Sequence, residues 1–319
     1  MIKKQTLTLL FATLLLFIYG CKKKEMHIKI TVQKELTGIA SASGIEVIGN
    51  SIYVIGDNSP FLFRLNRKME IQEKINLFPS NNMGDSIIEK MQKPDLEALT
   101  LSEEENLKLY AFGSGSKSPE RDILIELIPG KPHLVNKYDL TGFYNNLRLQ
   151  ANLSPEKLNI EAAGIFNGKL YLFNRGENLI IRYSMEDFRS FLEGKMEVPV
   201  AEIFQINLPA INGIPAGFSG ATFNRGNESI LFTATVEDTS NWIDDGEVLG
   251  SFLGIIPLKD LKNGLQPQNV VIGENAVHYP LKVESVAVIP PYTESKANII
   301  LVSDSDGGIS EFLEAEVFF

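Results

Sequence analysis

A short pattern returns along this chain roughly every sixty residues, and that recurrence restricts the fold more than any other feature of the sequence. Each copy begins with a short apolar run, holding Glu in all but the fourth, turns, and continues in an aromatic-aliphatic strand. A polar loop and a second alternating strand follow. The first copy reads Ser43-Gly44-Ile45-Glu46, then Ile52-Tyr53-Val54-Ile55, then Phe61-Leu62-Phe63-Arg64-Leu65. Later copies open at Asp95-Leu96-Glu97-Ala98, Asn159-Ile160-Glu161-Ala162, Phe218-Ser219-Gly220-Ala221 and Lys282-Val283-Glu284-Ser285. Glu46, Glu97, Glu161 and Glu284 are 51, 64 and 123 residues apart in turn, the last interval being two periods. β-Branched and aromatic strands at this period, with no helical periodicity, suit the four-stranded blades of a propeller.

Five copies predict an all-β, five-bladed β-propeller over residues 27–319. Fourth strands are expected near residues 70–77, 133–140, 201–208 and 270–274. The fifth copy has no following segment to supply one. The alternating stretch His27-Ile28-Lys29-Ile30-Thr31-Val32 is therefore expected to close the ring, which leaves only short sheet edges. One alternative is a six-bladed ring with residues 139–158 as a degenerate blade, although that stretch reads as loop and short helix. A β-sandwich is a second alternative. Residues 185–192 read as a helix capped by Ser184 and inserted between the third and fourth strands of the third blade. A hydrophobic share of 44% against 22% charged residues excludes a disordered chain. The net charge of −10 argues against nucleic acid as a partner. The single cysteine excludes an internal disulfide and a zinc site of several thiolates.

Residues 1–20 read as an address. Lys3 and Lys4 form a basic start, and the apolar stretch 9–19 is shorter than a membrane-spanning helix. Ile18-Tyr19-Gly20-Cys21 resembles a bacterial lipobox. That resemblance implies cleavage before Cys21 and lipidation of its sulfur, with residues 21–26 as lipidated cysteine and tether. A plain signal peptide or an uncleaved anchor is the alternative. The expectation is a monomeric cell-envelope lipoprotein, on the periplasmic side or the outer-membrane surface, held to the membrane by acyl chains.

Inner strands line a propeller's channel, so residues at their starts converge. Glu46, Glu97, Glu161 and Glu284 are assigned one equivalent position, and the fourth copy offers Ser219 and Gly220 there. Carboxylates around one axis repel unless Ca²⁺, a Lys or Arg, or protonation relieves them. Alternatively they accept backbone N–H groups of the next blade and tie the blades together. Asp304 joins the metal candidates. The loops after the second strands open on one face. Gly113-Ser114-Gly115-Ser116 offers amides and hydroxyls to an anion, beside Arg121, and no helix follows as a Walker or dinucleotide loop would need. Asn174 and Arg175 belong to the third such loop, and Glu237, Asp238, Trp242, Asp244 and Glu247 to the fourth. Ser114, Ser116, Arg121, Asn174, Arg175, Trp242, Asp244 and Glu247 form the candidate set for a small anionic ligand or glycan. Glu237 and Asp238 with Arg121 and Arg175 form the candidate catalytic set, unless these charges simply neutralise one another. His27, His133 and His278 stand in unlike contexts, and there is neither HExxH nor G-x-S-x-G, so zinc and Ser-His-Asp hydrolysis have little support.

Asp95-Leu96-Glu97-Ala98, Asn159-Ile160-Glu161-Ala162 and Val283-Glu284-Ser285-Val286 resemble the D-x-E-G/A inner-strand signature of esterase-like phytase and SdiA-regulated propeller families. With the lipobox and the loops, most of residues 27–319 is similar to an uncharacterised group of Bacteroidota propeller lipoproteins. The resemblance implies a calcium-dependent phosphoester or ester hydrolase, phytase-like or nucleotidase-like, with Glu97, Glu161, Glu284 and Glu46 as acidic channel residues. The fourth copy departs from that pattern by lacking its Glu. Two expectations follow. The first is an envelope-anchored propeller binding a small anionic or glycan ligand or a partner, with a central Ca²⁺. The second is the hydrolase, its cation polarising a phosphoryl or carbonyl oxygen while a loop carboxylate activates water. The first is favoured, because no complete catalytic set is visible.

Overall fold

A computed structural model describes residues 25–39, 41–78, 88–89, 92–103, 107–239, 246–274, 277–278, 281–304 and 309–319. The address segment with Cys21, together with Trp242 and Asp244, lies outside them, as do the side chains of His133 and His278. The chain begins with β1 (His27–Thr37) and then builds one antiparallel four-stranded sheet after another. Blade 1 is β2 (Ala42–Ile48), β3 (Ser51–Gly56), β4 (Phe61–Asn66) and β5 (Ile71–Asn76). Blade 2 is β6 (Leu96–Ser102), β7 (Lys108–Gly113), β8 (Ile123–Ile128) and β9 (Lys131–Asp139), followed by helix α1 (Thr141–Ala151). Blade 3 is β10 (Ile160–Phe166), β11 (Lys169–Asn174), β12 (Leu179–Ser184) and, after helix α2 (Met185–Leu192), β13 (Glu202–Gln205). A small hairpin, β14 (Ala210–Ile211) and β15 (Ile214–Pro215), precedes blade 4: β16 (Gly217–Asn224), β17 (Ser229–Asp238), β18 (Glu247–Pro257) and β19 (Gln268–Val271). A second hairpin, β20 (Gly273–Glu274) and β21 (Val277–His278), leads to blade 5: β22 (Lys282–Ile289), β23 (Lys296–Asp304) and β24 (Ile309–Phe318).

The outer strand of blade 5 is β1, in register from His27 opposite Phe318 to Thr37 opposite Ile309. The N-terminal strand thus closes the ring, as the alternation of residues 27–32 requires, and extends further than that stretch. The protein is a five-bladed β-propeller. Residues 139–158 form α1 and one 3₁₀ turn (Pro155–Lys157) rather than a sixth blade. The Ser184 hydroxyl accepts from the Asp187 amide at 3.3 Å and caps α2.

Blades stack face to face, so both faces of their strands are buried. This is why the inner strands are continuous apolar runs rather than alternating ones, β10 being buried at every position. The core is divided into five clusters, each lying between two successive blades. Ile55 of blade 1 packs with Leu99 of blade 2, and Leu253 of blade 4 with Val286 of blade 5. Helices α1 and α2 cap the cluster between blades 2 and 3, where Phe143 meets Phe188 edge-on at 5.3 Å. The inner strands β2, β6, β10, β16 and β22 contact one another around a closed ring. Among the described residues no helix is long and apolar enough to cross a membrane.

Candidate functional site

Every inner strand carries a bulge at the same place. The register against the second strand slips at Ser43, Glu97, Glu161, Ser219 and Glu284. A bulge re-aims the extra residue and sharpens the local twist. A small residue follows each one: Gly44, Ala98, Ala162, Gly220 and Ser285. The reason is close approach of neighbouring inner strands. A Cβ on Gly220 would come within 2.5 Å of the Ser285 Cα, a backbone atom that cannot step aside. Two residues before the bulge stand Ser41, Asp95, Asn159, Gly217 and Lys282, and Ser41 and Asp95 take left-handed backbone conformations.

These positions and the ends of the second strands build one charged mouth. The Lys93 ammonium joins Asp57 to Asp95, at 2.7 Å from the latter. The other Asp95 oxygen accepts from Arg121 at 2.6 Å and from the Ser114 hydroxyl at 2.5 Å. Across the mouth, Arg175 donates to Glu237 at 2.9 Å and lies 4.0 Å from Glu161. Lys282 lies 3.1 Å from Glu284 and 3.7 Å from Glu237. The Asn159 amide nitrogen donates to Glu161 at 2.5 Å. Oxygens of Asp57, Asp95 and Glu97 lie within 4.8 Å of one another.

Burial dominates the electrostatics. It pushes the Glu161 carboxyl up to about 7 against the pull of Arg175 and Lys282. Glu284 rises to about 8, through burial first and then the nearby Glu161 and Glu237, with Lys282 opposing. Glu97 is held well above its ordinary value by burial and by Asp95, Glu161 and Asp57. Burial also raises Asp57, against Lys93. Burial alone would depress Lys93, but Asp95, Glu97 and Asp57 more than reverse it and keep the ammonium charged.

Several expected site residues are placed otherwise than their sequence pattern implied. Glu46 is not the equivalent of Glu97, Glu161 and Glu284; Ser43 is. Glu46 sits three residues further along β2, towards the opposite end of the channel, where its oxygens accept from the Leu101 and Val47 amides at 3.2 and 3.3 Å. The small residue after each bulge is the signal that aligns the copies correctly. The Ser114 to Ser116 loop is no open anion cradle, because its amides bond Asp95 O, Arg121 O and the Ser114 hydroxyl. Arg121 is closed onto Asp95 and Ser116. Asn174 is committed to the Asn159 amide and the Lys157 carbonyl, so it braces the backbone. Of the proposed catalytic set, Glu237 and Arg175 meet in one buried pair, Arg121 belongs to another, and Asp238 is exposed. Glu247 is exposed too, opposite Asp238 at the end of its hairpin. Asp304 ends β23 at the mouth, in register with Lys282. Sequence reading passed over Asp57, Asp95, Lys93 and Lys282. The acid or base two residues before a bulge marks Asp95 and Lys282, whereas no local signal marks Lys93.

The class defined here is a five-bladed propeller with a densely charged channel mouth. The chain belongs to the family of unknown function DUF6929, matching it over residues 38–317. No curated protein matches it significantly by sequence. Among solved structures it is similar to the glutaminyl cyclase of Myxococcus xanthus, with 14% identity, a TM-score of 0.50, and 92% of this chain and 97% of that one covered. The PQQ-bound aldose sugar dehydrogenase of Streptomyces coelicolor aligns at 15% identity and TM-score 0.42, over 92% and 98% of the two chains. The WD40 propeller domain of Doa1 aligns at 10% identity and TM-score 0.38, over 90% and 97%. At such identities the likeness is one of fold.

Proposed function

We propose that this protein is a binding propeller whose channel mouth accepts a small polar ligand carrying a positively charged group, an amine-bearing sugar being one such molecule. Charge balance carries this reading. Six carboxylates (Asp57, Asp95, Glu97, Glu161, Glu237 and Glu284) stand among four cations (Lys93, Arg121, Arg175 and Lys282), with Asp304 beside them, so acids outnumber bases and Glu97, Glu161 and Glu284 are driven to hold protons above the ordinary carboxylate range. Asp57 Oδ1 is buried without a hydrogen-bond partner among the described residues. A ligand ammonium supplies what both features lack. An anionic ligand would instead have to compete with Asp95 for Arg121 and with Glu237 for Arg175. Glu237 is closed onto Arg175, Arg121 onto Asp95, and Asp238 is exposed, so the candidate catalytic residues do not converge on one point, which favours binding over catalysis.

The close approach of Asp57, Asp95 and Glu97 favours a second reading, a hard cation such as Ca²⁺ at that trio. The donors fit it only with Lys93 withdrawn, because that ammonium already bonds two of the three carboxylates. Calcium-assisted phosphoester or ester hydrolysis belongs to this second reading. Anchoring in the envelope through Cys21 is part of the proposal as well, and labelling with an alkynyl fatty acid that is lost in Cys21→Ser tests it.

Thermal melting of the full chain separates the readings. Glucosamine and other primary amines are expected to raise the melting temperature, while neutral glucose and anionic glucuronate do not. Ca²⁺ is expected to act only once Lys93→Met has freed the carboxylates. A Ca²⁺ shift in the unaltered protein, reversed by EDTA, supports the second reading. A shift with glucuronate and none with amines overturns the first.

A further inference from the structure

The opposite end of the channel holds a pocket that is separate from the charged mouth. All five inner strands contribute to its wall, through Glu46, Leu101, Ile165, Thr222 and Val288, so it lies on the propeller axis. Arg225, Glu103 and Tyr292 complete its rim. Its volume of about 30 Å³ equals roughly two or three water positions, so it holds a terminal group of a few heavy atoms.

Two opposite charges face this space. The Glu46 carboxylate is held by one amide on each oxygen, from Val47 of its own strand and Leu101 of the next blade. A carboxylate oxygen has two acceptor sites, so capacity remains on each. The Arg225 guanidinium lies over the Phe166 ring at 5.8 Å. Phe166 in turn stacks on Phe223 at 5.1 Å, an arrangement that requires Gly164, where a Cβ would come within 2.5 Å of the Phe223 ring. Arg225 also hydrogen-bonds the Tyr292 side chain, and it engages Glu103 through one nitrogen at 2.9 Å. Both partners of that pair are more than a third exposed, at 36% and 48%, so the contact is weak and exchangeable. Burial raises Glu46 to about 7, opposed by its two amides and Arg225 and reinforced by Glu103, and Tyr292 also faces it.

We propose that this pocket is a second binding site, for a small zwitterion of the α-amino-acid kind, with Glu46 taking the ammonium and Arg225 the carboxylate. The site is independent of the reading given to the mouth. Calorimetric titration of the full chain with glycine, methylammonium and acetate at pH 8 tests it. In the binding component that Arg225→Met removes, which excludes any amine held at the mouth, glycine is expected to bind at least tenfold more tightly than either half-molecule, and more weakly at pH 6, where Glu46 is mostly protonated. Glu46→Gln and Arg225→Met should each weaken glycine binding tenfold or more, whereas Glu284→Gln at the mouth should not. Should Glu46→Gln fail to fold, Arg225→Met at the exposed rim carries the test alone. Glycine binding unchanged in Arg225→Met, or an Arg225-dependent component no tighter for glycine than for its halves, overturns the proposal. Binding lost in Glu284→Gln overturns it too, by placing glycine at the mouth.

Discussion

Five bulges occupy one position in five blades, yet they serve two different purposes. In blades 1 and 4 the bulged residue is serine. Ser43 donates to the Leu96 carbonyl at 2.5 Å and Ser219 to the Val283 carbonyl at 2.6 Å, each reaching the inner strand of the next blade. In blades 2, 3 and 5 the bulged residue is glutamate, and its carboxylate joins the charged mouth. A short donor at this position turns sideways and staples two blades. A glutamate there has no proton to give the neighbouring carbonyl when ionised and instead joins the charged cluster of the mouth, where burial raises its affinity for a proton. The same backbone feature is thus structural in one arc of the ring and chemical in the other.

Exchanging the two kinds of residue breaks the comparison most severely. Ser219→Glu would bury a carboxylate against the Val283 carbonyl, and a cost on the order of 4 kcal/mol or more is expected from denaturant unfolding. Glu97→Ser should be tolerated, since it removes an acid whose ionisation burial and its acidic neighbours oppose. Arg175→Met leaves Glu161 and Glu237 without their arginine and is expected to cost about 3–5 kcal/mol. A loss below 1 kcal/mol would mean that the pair does not form as described. Ser43→Ala removes a staple and should cost about 1–2 kcal/mol, the Leu96 carbonyl being buried, whereas Ser219→Ala should cost about 0.5–1 kcal/mol, because the Thr235 hydroxyl also donates to the Val283 carbonyl at 3.0 Å.

The acidic arc also sets a pH dependence. Glu161 and Glu284 hold protons more tightly folded than unfolded, where their ordinary value is 4.5. Between that value and about 8 the folded state carries more protons, so stability falls as pH rises and levels off above the folded values. Melting at pH 5, 6.5 and 8 should show this decline, and Glu284→Gln should flatten it. A rise over the same window would contradict the assigned burial. The smallest effects belong to Asp238→Asn and Glu247→Gln, which lie outside both arcs and should stay within about 0.5 kcal/mol of the parent.

Much of the fold was legible because its signals are local. The sixty-residue period, the apolar runs and the Ser184 cap all read directly from the chain. The bulge register was harder, since the Glu in Ser43-Gly44-Ile45-Glu46 drew the alignment three residues too far. Residue size after the bulge, rather than acidity, marks the position, because backbone crowding between blades admits only a small side chain.

By itself the sequence determined the repeating blades, their order, and a strand able to close them, since hydrophobic patterning and recurrence need no knowledge of distant contacts, while the structure excluded a sixth blade by folding residues 141–157 into α1 and a 3₁₀ turn. Only the tertiary structure decided which charges meet. Lys93 reaches Asp57 across 36 residues, and Arg175 reaches Glu237 across 62. Coulomb energy and desolvation depend on distance and burial in space, and no run of neighbouring residues encodes either.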